Sequence, residues 1–321
     1  MSGERELLQR LIAGPLSGDT LAKEAGLTRA AMWKRMQALR EAGVEIEAQA
    51  GRGYALRHPL ELLDADVISA ALPAAVNARV AALEVAWTLD STNSELLRRD
   101  TPSQGVAVLL AERQTGGRGR RGRDWTSPLA AHLYISVARQ FSGGLARLGG
   151  LSLVAGVAVA QALHQAGHAQ VQLKWPNDLV VQDRKLGGLL VEGGGEHAGP
   201  VRAVIGLGLN VRMPEAAAND IDQPWIDLVG LGSSLSRNQL AAAVLEHLLP
   251  ALDLFDAEGL APFLPAYAAM DALAGREVTV QMGEQTHAGR ALGIAGDGAL
   301  RVEIEGVERQ FHSGEVSVRR R

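Results

Sequence analysis

At 321 residues the chain exceeds a single hydrophobic core, so two or three domains are expected, and 47% apolar with 21% charged residues excludes a mainly disordered chain. A formal net charge of −4 gives no overall reason to bind nucleic acid, and the absence of cysteine excludes disulfides, thiolate metal sites and a cysteine nucleophile. The first six residues lack the layout of a secretion signal and no apolar run is long enough to span a bilayer, so a cytoplasmic location without membrane contact is the expectation.

The region 1–62 opens with helical periods. Leu7, Leu8, Leu11 and Ile12 form one apolar stripe, Leu21 and Ala25 a short second, and Met32, Met36 and Leu39 a third. Gly14-Pro15 and Gly26 separate them, Thr28 is placed to cap the third helix and Gly43 to stop it. Ile46 to Leu56, with Gly51-Arg52-Gly53 at its centre, reads as a two-stranded hairpin. Three short helices and a hairpin predict a winged helix-turn-helix. Residues 28–40 hold Arg29, Lys34, Arg35 and Arg40 and no acid, the local charge expected of a recognition helix, with Arg52 at the wing tip; a helical protein-binding module with a solvated basic face is the competing reading.

Residues 63–270 mix both periods. Strands are predicted near Val106–Leu110, Leu133–Val137, Val171–Leu173, Leu186–Val191 and Val204–Val211, and helices over Leu148–Leu163 and Leu240–Leu254, the latter kinked or broken at Pro250. Beyond Asp271, short β-type runs at Val278–Gln281, Ala288–Ile294, Ala299–Ile304 and Val316–Val318 predict a small β-barrel over 271–321.

Five stretches carry candidate chemistry. Asp90-Ser91-Thr92-Asn93 is a cluster of short donors and acceptors that also fits a helix cap. The run from Gln114 through Gly117-Arg118-Gly119-Arg120-Arg121-Gly122 cannot pack a core; its glycines admit a ligand closely and its guanidiniums suit carboxylate or phosphate, although a flexible basic loop has the same composition. The G-x-G-x-x-G spacing within it precedes a strand rather than opening a helix, so it is not a dinucleotide fingerprint, and no P-loop exists. Lys174-Trp175-Pro176-Asn177-Asp178 reads equally as a strand ending in a turn. Lys185-Leu186-Gly187-Gly188 puts two glycines inside an apolar strand, which points to a ligand or another backbone nearby, or to a hairpin with a solvated lysine. The chain has four lysines against 28 arginines, which singles out Lys185. Gly206-Leu207-Gly208-Leu209-Asn210 is a second glycine-broken strand. His164 and His168 lack the context of a zinc site, and no metal ligand is assigned.

These motifs, in this order, resemble the biotin-protein ligases, and with the N-terminal module they resemble the bifunctional ligase–repressors of that family; the likeness covers essentially the whole chain. It implies an α/β multi-domain protein with a winged helix-turn-helix, a mixed α+β central domain like the class II synthetases, and an SH3-like C-terminal barrel. It implies condensation of biotin and ATP, with Mg2+, to biotinyl-5'-AMP and transfer of the acyl group to a lysine of the biotin carboxyl carrier protein of acetyl-CoA carboxylase. By the same resemblance, Ser91, Thr92, Asn93, Gln114, Gly117, Arg118, Gly119, Arg120 and Lys185 would hold biotin. Asn177, Asn210, Trp225 and Arg319 would face the nucleotide. Arg120 and Lys185 would offset the repulsion between carboxylate and phosphate, and Asp178 would take the proton of the carrier lysine. Thr28, Arg29, Lys34, Arg35, Arg40 and Arg52 would meet operator DNA, with a homodimer formed on binding biotinyl-5'-AMP. A sensor with an inactive ligase-like domain, a ligase whose N-terminal domain no longer represses, and a lipoate ligase are the alternatives.

Overall fold

Leucines and methionines three and four apart draw the first three helices together. In the computed structural model, which describes all residues except 1, 50–52, 143, 145–147, 196–200, 220, 284, 314–315 and 321, these are α1 (Ser2–Ala13), α2 (Gly18–Glu24) and α3 (Arg29–Glu41). Leu7, Leu8, Leu11, Leu21, Met32, Met36 and Leu39 share one buried cluster, whereas Ile12 is exposed. Ala22, not Ala25, completes the α2 face, because the helix ends at Glu24 and Ala25 is its exposed C-cap. Thr28 caps α3 by accepting from Ala31 N, as expected. The hairpin is β1 (Ile46–Gln49) and β2 (Gly53–Leu56); Gly51 and Arg52 at its tip lie outside the described residues. Tyr54 exchanges backbone hydrogen bonds of 2.8 and 3.0 Å with Leu16, so the α1–α2 connector crosses the wing closely enough that a Cβ on Gly53, at φ +87°, would strike it.

The short helices α4 (Ala65–Ala71) and α5 (Ala74–Asn77) lead into the central sheet. Its strands are β3 (Val80–Ala86), β4 (Val106–Ala111), β5 (Leu133–Phe141), β6 (Gln172–Lys174), β7 (Asp178–Val181), β8 (Arg184–Gly195) and β9 (Val201–Leu209), in the order β3-β4-β5-β9-β8-β7-β6. Only β3 and β4 run parallel. Alternation sorts the two faces: Val201, Ala203, Ile205, Leu207 and Leu209 of β9 enter the main core, while Val204 packs with Leu96 on the other side. The core face is covered by α7 (Leu151–Gln165) and α9 (Arg237–Glu258), the opposite face by α6 (Thr92–Arg98). Pro250 does not break α9. The flanking Leu248, Leu249, Leu252 and Phe255 are all buried, and their packing outweighs the roughly 3 kcal/mol that an interior proline costs. Beyond α8 (Glu215–Ala218) and α9, helix α10 (Leu264–Met270) leads to the last sheet.

That sheet has β10 (Glu277–Met282), β11 (Gln285–Ile294), β12 (Leu300–Ile304), β13 (Val307–Phe311) and β14 (Val316–Arg320), antiparallel in the order β13-β12-β11-β10-β14, consistent with an SH3-like domain. β13 escaped the sequence pattern because it is an edge strand with four of its five side chains exposed. Val278, Val280, Leu300 and Val302 join the same buried cluster as the central sheet, so residue 270 divides two sheets that share one core. Trp175 fastens them further by donating from Nε1 to the Gly298 carbonyl at 3.0 Å. No helix among the described residues is long and apolar enough to cross a membrane.

Candidate active site

The face of the central sheet under α6 is built from rows fixed by strand register. Ser136 of β5, Gly206 of β9 and Leu190 of β8 form one row; Tyr134, Gly208 and Gly188 form the next. The glycines are required by what lies on them. A Cβ on Gly206 would collide with the Asn93 amide, and one on Gly208 with the Trp125 ring, which also comes within 3.3 Å of where a Cβ on Gly188 would stand. The paired glycines of β8 and β9 therefore leave a depression that one amide and one indole partly fill.

A polar wall rises on one side of it. Ser91 caps α6 through Ser94 N, and Ser91, Thr92 and Asn93 are each only 4% exposed. The Gln114 carbonyl oxygen accepts from Thr92 N at 2.8 Å and Thr92 Oγ1 at 3.2 Å, and its amide donates to Ser127 Oγ at 3.3 Å. Ser136 Oγ, fully buried, lies 2.6 Å from Asn93 Oδ1 and 2.7 Å from Thr92 Oγ1. Asn93 Nδ2 donates to Leu190 O and, at 2.9 Å, to Glu192 Oε2. Burying so many polar atoms is tolerable only because they bond to one another. Ser136, Glu192 and Ser127 were not anticipated. The available signal was Ser136 itself, a hydroxyl inside the otherwise apolar strand Leu133–Ala138.

Cations line the other side. Lys185 Nζ pairs with Asp178 Oδ1 at 2.8 Å and stands 5.4 Å from the centre of the Trp125 ring. Arg120 donates to Asn177 Oδ1 at 3.3 Å and to the Ser313 carbonyl of the C-terminal sheet; burial holds its guanidinium below the usual range, against the favourable field of Asp178. Asn177 is oriented in turn by donating 2.6 Å to Leu189 O. Arg118 is bound to both oxygens of Glu192 at 3.0 Å and to Ser94 Oγ.

A cavity of about 870 Å3 runs over the depression, bounded by the polar wall, the cations and, from the far side, Ala272, Leu273 and Val318. Of the sequence-predicted residues it brings together Ser91, Thr92, Asn93, Gln114, Arg118, Gly119, Arg120, Asn177, Asp178 and Lys185. Gly117 sits behind the wall, too close to Ser127 Oγ and Trp125 O to carry a side chain. Asn210 does not line the cavity: it is buried, and its amide donates to Lys185 O and Ile226 O, clamping the segment after Pro224 onto β8. Trp225 also lies off the lining, its backbone bridged to Lys185, while Asp222, Gln223 and Pro224 just before it reach the cavity. Arg319 occupies β14 opposite Thr279, and its side chain falls outside the described residues.

In the N-terminal module the predicted basic face is thinner than a charge count implies. Arg29 is paired with Asp19, and the Arg35 guanidinium lies against Gly3 in the first turn of α1. Arg40 serves the fold: Nε and Nη2 donate to Ile46 O at 3.2 and 3.1 Å and the guanidinium lies 5.6 Å from the centre of the Tyr54 ring, bracketing α3 to the wing. Thr28 and Lys34 are exposed.

The chain matches the biotin/lipoate A/B protein ligase family over residues 85–210, a helix-turn-helix domain over 4–55 and the biotin protein ligase C-terminal domain over 274–319. It is 41% identical over 303 residues to the bifunctional ligase/repressor BirA of Salmonella typhimurium, covering 94% of this chain and 93% of that protein. The chain belongs to the biotin protein ligase family. The biotin--[acetyl-CoA-carboxylase] ligase of Mycobacterium tuberculosis is 34% identical over 73% of this chain and 88% of its own length. Among solved structures, the biotin protein ligase of Aquifex aeolicus in complex with biotin and ATP superposes with a TM-score of 0.63 at 27% identity, over 75% of this chain and 100% of that one. The three-part architecture expected from the sequence is thus that of a biotin protein ligase with an N-terminal helix-turn-helix, and the protein is an enzyme. These relatives are biotin ligases, which sets aside the lipoate reading.

Proposed function

We propose that this ligase condenses biotin with ATP in the cavity over Gly206 and Gly208, and that it also represses transcription through its N-terminal module. One observation carries the catalytic reading: a self-satisfied wall of short polar side chains and a cation cluster face each other across a single 870 Å3 cavity. The wall suits the ureido ring of biotin, whose buried donors and acceptors would each cost about 1–3 kcal/mol if left unpaired. Lys185 and Arg120 suit the junction where a biotin carboxylate oxygen attacks the α-phosphorus, forming the acyl phosphate bond while the bond to pyrophosphate breaks. The carboxylate is already ionised at neutral pH, so this half needs charge rather than a base. In the second half the carrier lysine attacks the acyl carbon and AMP leaves; Asp178, which lines the cavity beside Lys185, would take the amine proton. Mg2+ would enter on the triphosphate as part of the substrate, a role that asks for one or two carboxylates beside the phosphates rather than a cage. Labelled biotin, ATP and the purified carrier domain test the reading: ATP-dependent label on one carrier lysine is expected, and label that fails to transfer, or transfers without ATP, overturns it.

The regulatory half concerns a small module with few free cations. Alone, such a module binds DNA non-specifically with a Kd on the order of 10⁻⁴ to 10⁻⁶ M. Two copies at fixed spacing make the second contact intramolecular and multiply the affinity. The prediction is that biotinyl-5'-AMP doubles the sedimenting mass and tightens operator binding together. An unchanged mass with unchanged operator affinity would leave a cytoplasmic ligase carrying an uncoupled N-terminal domain.

A further inference from the structure

The face of α3 turned to solvent carries one side chain that electrostatics does not explain. Trp33 is 54% exposed, and it is the only exposed aromatic residue among those described. Met32, Met36 and Leu39 commit the opposite face to the core, so Ala30, Trp33, Lys34 and Gln37, at helical spacings of three and four, share the outer face. With Arg29 paired to Asp19, Arg35 laid on α1 and Arg40 turned to the wing, the first two turns present a methyl group, an indole and an ammonium. Ala30 beside the indole lets the helix axis come close to whatever the indole enters.

We propose that Trp33 is a base-reading residue, its indole entering the major groove of duplex DNA and packing on the C5-methyl group of a thymine, with Lys34 on a neighbouring phosphate. The proposal rests on the module being a DNA reader. The first turns of a recognition helix are the ones that reach base edges, and the thymine methyl is the apolar feature that the major groove displays. An apolar protein pocket could also take an indole, but the exposed Lys34 stands beside it and residues 28–40 contain no acid, which suits a polyanion. A flat aromatic at this position makes operator choice depend on thymine placement rather than on arginine–guanine pairs.

The experiment uses the full-length protein with biotin and ATP, a duplex selected by the wild-type chain from a randomised library, and copies of that duplex in which each thymine is replaced singly by uracil. One replacement should weaken the wild type about fourfold, the worth of one buried methyl. The same replacement should leave Trp33→Ala unaffected, and Trp33→Ala should bind the parent duplex on the order of tenfold less tightly. Its salt dependence should match the wild type, whereas Lys34→Ala should flatten the slope by about one for each bound protomer. If every uracil replacement costs both proteins equally, the indole touches no methyl; the Trp33 proposal fails while DNA reading stands. If the wild type enriches no sequence at all, the DNA-binding reading fails, and this proposal falls with it.

Discussion

Replacing Lys185 by methionine is expected to slow biotinyl-adenylate formation by roughly 10²–10³-fold, the cost of removing one preorganised donor from a site where charge develops on oxygen. Methionine keeps the stem's apolar length against the Trp125 ring and deletes only the ammonium, so the loss reads the charge rather than the packing. Urea unfolding should change by little, since the ammonium is on a partly open cavity wall and its partner Asp178 still reaches solvent there. Arginine should rescue poorly. The ammonium is a point charge 2.8 Å from Asp178 Oδ1 and 5.4 Å from the centre of the indole, and the longer arginine side chain, with its charge spread over three nitrogens, would not put the same charge at that point. Biotin-dependent pyrophosphate–ATP exchange measures the step, and near-normal exchange in the methionine variant would remove Lys185 from the assignment. Arg120→Ala makes a less clean test, because Arg120 also bonds the Ser313 carbonyl and so helps to seat the C-terminal sheet over the cavity.

What the sequence disclosed here, and what it hid, follows from how local each feature is. Thr28 as a cap and the glycine-broken strands at 187–188 and 206–208 are visible as spacings, because each demand is met within a few residues. Ser91 was legible twice over, as a helix cap and as a site residue, and the structure uses it as a cap at the cavity edge. Ser136, Glu192 and Trp125 were silent as site residues. Each acquires its role only when strand register sets it beside Asn93 or Gly208, which are remote in sequence. Strands β3 and β13 were missed because their side chains are almost all exposed or half-buried, which leaves no clear period. Arg40 shows what a charge count cannot see: its Nε and Nη2 donate to Ile46 O and its guanidinium lies over the Tyr54 ring. Asn210 likewise matched a motif, yet its amide is used by backbone carbonyls.

Arg237→Ala is expected to cost about 3–5 kcal/mol, because it leaves the Glu112 carboxylate buried without its counter-charge. The two side chains are only 6% and 3% exposed, with Arg237 Nη1 2.8 Å from Glu112 Oε2. Neither charge serves the other alone. Glu112 Oε1 accepts from Leu63 N, and Arg237 donates to His132 O and to Glu61 O; the next residue, Asn238, bonds Leu62 O and Asp64 N. Residues 61–64 connect the winged module to the ligase domain, so this cluster holds that connection, alongside the Leu129 N to Ala42 O bond and the packing of Leu129 and Ala130 in the module's core. A buried ion pair can often be exchanged for apolar residues without loss. The double variant Glu112→Leu with Arg237→Met should fail to recover here, since Leu63 N–H and the carbonyls of Glu61 and His132 would lose their partners at about 1–3 kcal/mol each. Chemical unfolding of the single and double variants decides the matter: a double variant as stable as the parent would mean that the pair merely fills space and that the connection is anchored elsewhere. A double variant as weak as the single ones would show that Leu63 N–H and the carbonyls of Glu61 and His132 depend on these two side chains for their partners.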